Sequence, residues 1–263
     1  MPHLVHLTSL ILLDVDDPFS GNHLVETGQH SNPDVLALFK ERKRYGSCTK
    51  DIWNALTAAR VRLEKIVIDN IPQSFLDYLL SYSGLKKLCL IYPGSVHSDF
   101  SDGKASDAMA ALLFEQSLSN HARSLENLNI YAAWEGLWCF GGHNRNAISN
   151  LTKLKNLGMS VRSSDLWNYR DKRKDKNSLP KRDPIHDLLD MTAHYMPDIT
   201  TIRINPARRR RTGPKLIRPK SRSGEKIKDS VENYEPPPGC RHIRAMNIDS
   251  GVTIYVGGTH STV

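Results

Sequence analysis

The sequence predicts an α/β fold made by stacking short parallel strands, and three observations lead there. The pattern L-x-x-L-x-L occurs twice in close succession, as Leu63/Ile66/Ile68 and Leu85/Leu88/Leu90. Between them lies an amphipathic stretch, Ser74 to Tyr82, with Phe75, Leu76, Leu79 and Leu80 at helical spacing. The offset of 22 residues from Leu63 to Leu85 falls within the roughly 20 to 29 residues of a leucine-rich repeat. In such a unit a short strand buries alternate side chains and a helix carries the chain back. One unit cannot cover its own apolar face, so neighbours must stack on it.

The pattern recurs along the chain. Leu7/Leu10/Leu12, Leu125/Leu128/Ile130, Leu154/Leu157/Met159, Ile199/Ile202/Ile204 and Ile243/Met246/Ile248 bring the candidates to seven. Their spacing is uneven, so insertions must sit between strands. The expected architecture is therefore an irregular leucine-rich-repeat solenoid, with parallel strands on a concave face, helices on a convex face and disordered basic inserts. Its expected parts are a solenoid over 1–205, a basic, proline-containing disordered insert over 206–240, and a terminal repeat or capping strands over 241–263.

Each element has its own signal. Met1 to Asp17 supplies the first strand, with no polar capping element readable ahead of it. The expectation there is a piece of a longer chain or a shortened gene product. Pro18 to Pro33 reads as loop, Val35 to Arg44 as a helix, and Thr49 to Arg60 as another with Ile52, Trp53 and Leu56 on one face. Ser106 to His121 gives the clearest helix, with Ser106-Asp107 as its cap and Met109, Leu112, Leu113 and Leu118 as its apolar face. The aromatic segment containing Trp134, Trp138 and Phe140 follows the Leu125 strand and is expected to pack under the convex side. Asn144 to Leu151 and Ile185 to Tyr195 are the last two predicted helices. Arg208 to Pro238 shows almost no apolar periodicity and ends in Pro236-Pro237-Pro238. Asp249-Ser250-Gly251 marks a closing hairpin.

Charge is confined to particular stretches. Pro206 to Lys228 holds ten basic residues against Glu225 alone, a net +9 where the whole chain carries +8. Arg170 to Arg182 adds seven basic residues against two acidic ones. Outside Pro206–Lys228 the chain sums to −1, so the basic character belongs to these two stretches and not to the scaffold. Four cysteines (Cys48, Cys89, Cys139, Cys240) lie far apart, a usage that suits a reducing compartment. No apolar run reaches the about 18 residues of a membrane span, and the N-terminus lacks a basic region and cleavage site. The expected location is cytoplasmic, nuclear or both, with no membrane partner.

With these residues in hand, the chain resembles the leucine-rich-repeat region of mushroom-type fungal F-box-like proteins. The resemblance rests on LLSYSGLKKLCL (79–90), SLSNHARSLENLNI (117–130) and EGLWCFGGHNRNAISNLTKLKNLGMSV (135–161), and spans roughly residues 55 to 205. It implies a curved solenoid for protein recognition. Full-length members dock a Skp-type adaptor and cullin through an F-box, and their repeats hold a substrate for ubiquitin transfer. Here no F-box-like module precedes the repeats. The Asn or Cys usual three residues beyond the last leucine is replaced by Val15, Ile71, Pro93, Ala133, Arg162, Ala207 and Gly251, so the tight asparagine-ladder turn is not expected.

Residues alternating with the leucines should line the concave face. The expected partner contacts are Lys65, Asp69, Lys87, Asn127, Asn129, Tyr131, Asn156, Ser160, Arg203 and Asn205, a polar set suited to hydrogen-bonded recognition of a protein. A basic patch of Arg208, Arg209, Arg210, Arg211, Lys215, Arg218 and Lys220 suits nuclear import or nucleic acid. It carries no aromatic residues for base stacking. No phosphate loop, nucleophile elbow, kinase signature or zinc spacing occurs, and none of the eleven histidines pairs as H-x-x-x-H. No enzyme, cofactor or metal is expected. The leading functional expectation is the partner-recognition region of an F-box-like protein, with or without its F-box. The alternative is a nuclear, nucleic-acid-associated protein acting through its basic inserts.

Overall fold

The structure is a computed structural model that describes residues 6–13, 48–69, 71–93, 103–168, 182–208, 221–238, 243–248 and 251–256. The helix expected over Val35–Arg44 and nearly all of the Arg170–Arg182 insert lie outside the described residues. Six strands run parallel in chain order: β1 (Ser9–Leu12), β2 (Lys65–Ile68), β3 (Lys87–Ile91), β4 (Asn127–Tyr131), β5 (Asn156–Arg162) and β6 (Thr201–Ala207). Each parallel step requires a crossover, and a helix supplies it. These are α1 (Cys48–Ala58), α2 (Gln73–Leu80), α3 (Gly103–Glu115) with a 3-10 turn (Ser117–His121), α4 (Gly142–Ser149), and the pair α5 (Ser163–Asn168) and α6 (Pro184–Tyr195). The helices pack beside one another in the same order, α1 on α2, α2 on α3, α3 on α4 and α4 on α6, as one layer over one sheet face.

The leucine pattern sets this arrangement. Its second and third positions fall into register across the sheet: Leu10, Ile66, Leu88, Leu128, Leu157 and Ile202 form one row, and Leu12, Ile68, Leu90, Ile130, Met159 and Ile204 the next. From β2 to β6 every member is buried to 1 % exposure or less, worth roughly 2 kcal/mol for each large aliphatic side chain. The first position (Leu63, Leu85, Leu125, Leu154, Ile199) closes the row just before each strand. β1 is looser, with Leu10 and Leu12 partly buried and Ile11 half exposed.

An aromatic chain crosses the helix layer. Trp53 of α1 contacts Phe75 and Tyr78 of α2, Tyr78 contacts Tyr82, and Tyr82 meets the edge of His121 at 5.0 Å. The polar ends of Tyr78, Tyr82 and His121 reach backbone, whereas Trp53 Nε1 is buried with no hydrogen-bond partner among the described residues. The Tyr78 hydroxyl accepts from Leu63 N and donates to Val61 O, and the Tyr82 hydroxyl donates to Leu63 O. His121 Nδ1 accepts from Leu85 N at 3.3 Å, and Nε2 donates to Leu79 O at 3.1 Å. The neutral ring thus ties the end of α2 to the start of β3. Between those two points Gly84 turns the chain with φ +111°, a conformation a side chain would strain.

Three sequence expectations change. The Ile243/Met246/Ile248 strand, β7 (Ile243–Ile248), is not a seventh parallel repeat paired with β6; it belongs to the closing hairpin that the sequence also marks. β8 (Gly251–Val256) returns from it and inserts antiparallel between the two, giving the order β6-β8-β7. The terminal hairpin therefore ends the parallel series. Second, the disorder expected over 206–240 does not extend to 221–238. Residues 206–207 finish β6, and α7 (Ser221–Glu232) docks on α5, α6 and β6. Ile227 and Val231, four residues apart, form its buried stripe. Ser230 Oγ donates to Asp183, Tyr234 donates to Asp190, and Lys226 Nζ sits 3.4 Å from the centre of the Trp167 ring. Two apolar residues among so many charges are too few for a periodicity reading to detect. Third, Ser106 and Asp107 do not cap α3, which starts at Gly103. They instead accept from Trp138 Nε1 at 2.9 Å and Leu137 N at 2.8 Å, holding the segment that follows β4.

Two expected outcomes follow from these contacts. Ile227→Ala should lower stability by about 2 to 4 kcal/mol and expose Lys226 and Lys228 to limited tryptic cleavage; a flexible insert would show neither change. Burial holds the His121 pKa down at about 4 from its usual 6.5, so the unfolded chain takes up its proton first as pH falls. Stability is then present above pH 6.5 and declines toward pH 4, by up to about 1.4 kcal/mol per pH unit from this group. In urea titrations across that window, His121→Gln should be less stable at neutral pH and show a shallower decline.

Candidate partner-binding face

The helices cover one face of the sheet, and the residues alternating with the leucines project from the other. Register sorts them into rows. The first reads Ser9, Lys65, Lys87, Asn127, Asn156, Thr201, and the second Ile11, Val67, Cys89, Asn129, Gly158, Arg203. A third begins with Asp69, Ile91 and Tyr131 and ends with Ser160 beside Asn205. Most of these side chains are half exposed, and Arg203 is exposed. On β1 to β3 the face mixes the apolar Ile11, Val67 and Ile91 with Lys65, Lys87 and Asp69, and it carries amides toward β4 to β6.

The expected contact residues therefore share one surface, with one exception. Ser160 is fully buried, and its hydroxyl has no hydrogen-bond partner among the described residues. The cause is local. After Tyr131 the chain reaches past the end of β5 to β6: Arg208 N donates to Ala133 O at 2.9 Å and Glu135 N to Arg208 O at 2.7 Å. It then returns so that Phe140 N donates to Ser160 O. Asn144 pins the return, with its Oδ1 accepting from Gly141 N and its Nδ2 donating to Cys139 O. Trp138 and Phe140 are buried by the same excursion, as the sequence led us to expect, whereas Trp134 stays half exposed. Glu135 accepts from the N–H and hydroxyl of Ser164 at 2.7 and 2.9 Å, anchoring the segment to α5.

Inside the face, side chains organise one another. Asn156 Nδ2 donates to Asn127 Oδ1 at 2.6 Å, and the Tyr131 hydroxyl donates to Asn129 Oδ1 at 3.1 Å. Asn129 and Tyr131 lean over Gly158, where an added Cβ would meet both. The missing side chain leaves the room that Asn129 and Tyr131 occupy. Burial pushes the Cys89 thiol pKa up, while the charges of Lys87 and Arg203 pull it down. Two cations on different strands thus act on one point in the middle of the face. Burial also lifts the Cys139 thiol, to about 12, which leaves it a thiol at neutral pH.

A second polar feature was absent from the sequence reading. The residue following the first leucine alternates in sign along the strand starts: Glu64, Lys86, Glu126, Lys155. Lys86 Nζ donates to Glu64 at 2.9 Å and Lys155 Nζ to Glu126 at 2.9 Å, and Lys86 also feels Glu126. This partnering draws the Glu126 carboxyl below its usual pKa and raises the Lys86 ammonium. A cleft of about 350 Å³ lies along this edge, lined with Arg123, Lys153 and Asp198 among others. Its one hydroxyl, Ser124, is committed to the Leu85 and His121 carbonyls. The alternation itself was the missed signal.

Of the basic patch, Arg208 is exposed and held by its backbone; Arg209, Arg210, Arg211, Lys215, Arg218 and Lys220 lie outside the described residues. Among the described residues, no group of three or more His, Cys, Asp or Glu side chains is arranged to hold a metal ion, and no helix is long and apolar enough to cross a membrane. Comparison with known proteins returns no match: no family model fits the chain, and no curated protein or solved structure is similar to it.

The edge ladder predicts a salt-sensitive contribution to stability. Lys86→Glu would set three acids side by side and should lower the melting temperature at low ionic strength. The deficit should shrink in concentrated salt; a deficit unchanged by salt would mean that the ladder acts through packing rather than charge.

Proposed function

We propose that this chain is a protein-interaction module, an irregular leucine-rich-repeat solenoid that recognises a partner on its open sheet face. One observation carries the reading: from β2 to β6 the second and third leucine positions repeat in unbroken register. The residues between them are thereby collected on a single polar face. A stack of this kind commits its apolar side chains to the helix layer and leaves alternate positions for recognition. The resemblance to F-box-like proteins favours a role as the recognition region of a ubiquitin-ligase receptor, with an F-box on the same or another chain.

Pull-down from native lysate, with and without nuclease and read by mass spectrometry, tests this. Asn156→Trp should fill the face while keeping the fold, as checked by circular dichroism, and should lose a nuclease-resistant partner that the unmodified chain recovers. Recovery of cullin and its adaptor supports the receptor role. Recovery that survives Asn156→Trp but disappears with nuclease, or when residues 209–220 are deleted, favours the nucleic-acid reading instead.

A further inference from the structure

Charge is handled in opposite ways in two adjacent rows of the same strands. In the edge row, Glu64, Lys86, Glu126 and Lys155 alternate and pair. One residue later, on the open face, Lys65 and Lys87 are register neighbours of the same sign, and neither forms an ion pair among the described residues. Like charges directly opposite each other on paired strands repel and cost stability. Their row continues with Asn127, Asn156 and Thr201, which offer no acid. A third cation, Arg203, projects exposed beside Gly158, also without an ion pair among the described residues. Asp69 is the only acidic residue in the three rows.

We infer that the open face binds an extended acidic segment of a partner protein. Carboxylates at one end of the segment meet Lys65 and Lys87, and one at the other end meets Arg203. The Asn127–Asn156 amide pair lies between, with the Asn127 amide nitrogen free to donate to the segment's backbone. The span fits: Lys65 and Arg203 stand four strand intervals apart, roughly 19 Å, which about six residues of extended chain cover. An arginine offers a carboxylate two parallel hydrogen bonds, and two lysines offer a concentrated positive field. The inference rests on the partner-recognition reading above and specifies the chemistry of the partner.

The test uses the full chain and a fluorescein-labelled peptide of consecutive glutamates, with glutamine and oligouridylate probes of similar length, read by fluorescence anisotropy. The glutamate probe should bind and weaken with salt. Lys65→Glu with Lys87→Glu, and separately Arg203→Glu, should each weaken it at least about tenfold, and the milder K65Q/K87Q pair should weaken it less. Neutralising Arg209, Arg210, Arg211, Lys215, Arg218 and Lys220 should leave an insert-independent component intact. In the free protein K87Q should raise the melting temperature at low salt, because it removes the repulsion. Absence of glutamate binding, equal binding of the glutamine probe, binding lost only with the insert substitutions, or a face that prefers oligouridylate would each overturn the inference. The two readings fail separately. A lysate partner lost with Asn156→Trp yet kept by the charge reversals leaves recognition standing without the acidic segment. A partner kept by all of these variants removes both.

Discussion

Five backbone carbonyls carry the geometry of this protein. Thr8, Glu64, Lys86, Glu126 and Lys155 each accept two N–H groups from the start of the following strand, between 2.8 and 3.1 Å. The same residue of each unit makes this contact in turn, so no unit can slip relative to its neighbour. In a sheet a slip of one residue would turn every leucine from the core to solvent. The doubled hydrogen bond and the leucine row are therefore two expressions of one register. Insertions of different length between strands leave it untouched, because they leave after one strand and rejoin before the next.

That register also explains the polar chemistry. It brings Glu64, Lys86, Glu126 and Lys155 into one line, where alternation of sign satisfies them. It brings Lys65 and Lys87 into the adjacent line, where they share one sign and neither is paired among the described residues. Both lines share a backbone and differ only in which direction the side chains leave it. A pairing at the edge contributes little, since both partners are exposed and screened. Among the described residues the cations on the face have no such arrangement.

Much of the fold was legible because it depends on spacing. L-x-x-L-x-L repeats locally, and helical stretches between strands have their own period, so strands β1 to β6 and helices α2, α4 and α6 fell close to where the residues put them. The misses share a cause of the opposite kind. α7 hides two buried residues, Ile227 and Val231, among charges, and its docking relies on Asp183, Asp190 and Trp167, far away in sequence. Ser106 and Asp107 have the right chemistry for a helix cap, yet the Trp138 and Leu137 donors, 32 and 30 residues on, claim them. Ser160 alternates correctly but is buried, because the chain after β4 reaches across to Arg208.

By itself the sequence determined which residues are core, which alternate with them, and that the units must stack, because periodicity is a property of neighbours along the chain. Only the tertiary structure decided that β8 inserts ahead of β7, that Ser160 is withdrawn from the face, and that Lys65 meets Lys87 while Lys86 meets Glu64 and Glu126 meets Lys155. Those outcomes depend on hydrogen bonds and charges between residues roughly 20 to 70 positions apart, whose energies exist only once the strands are already in register.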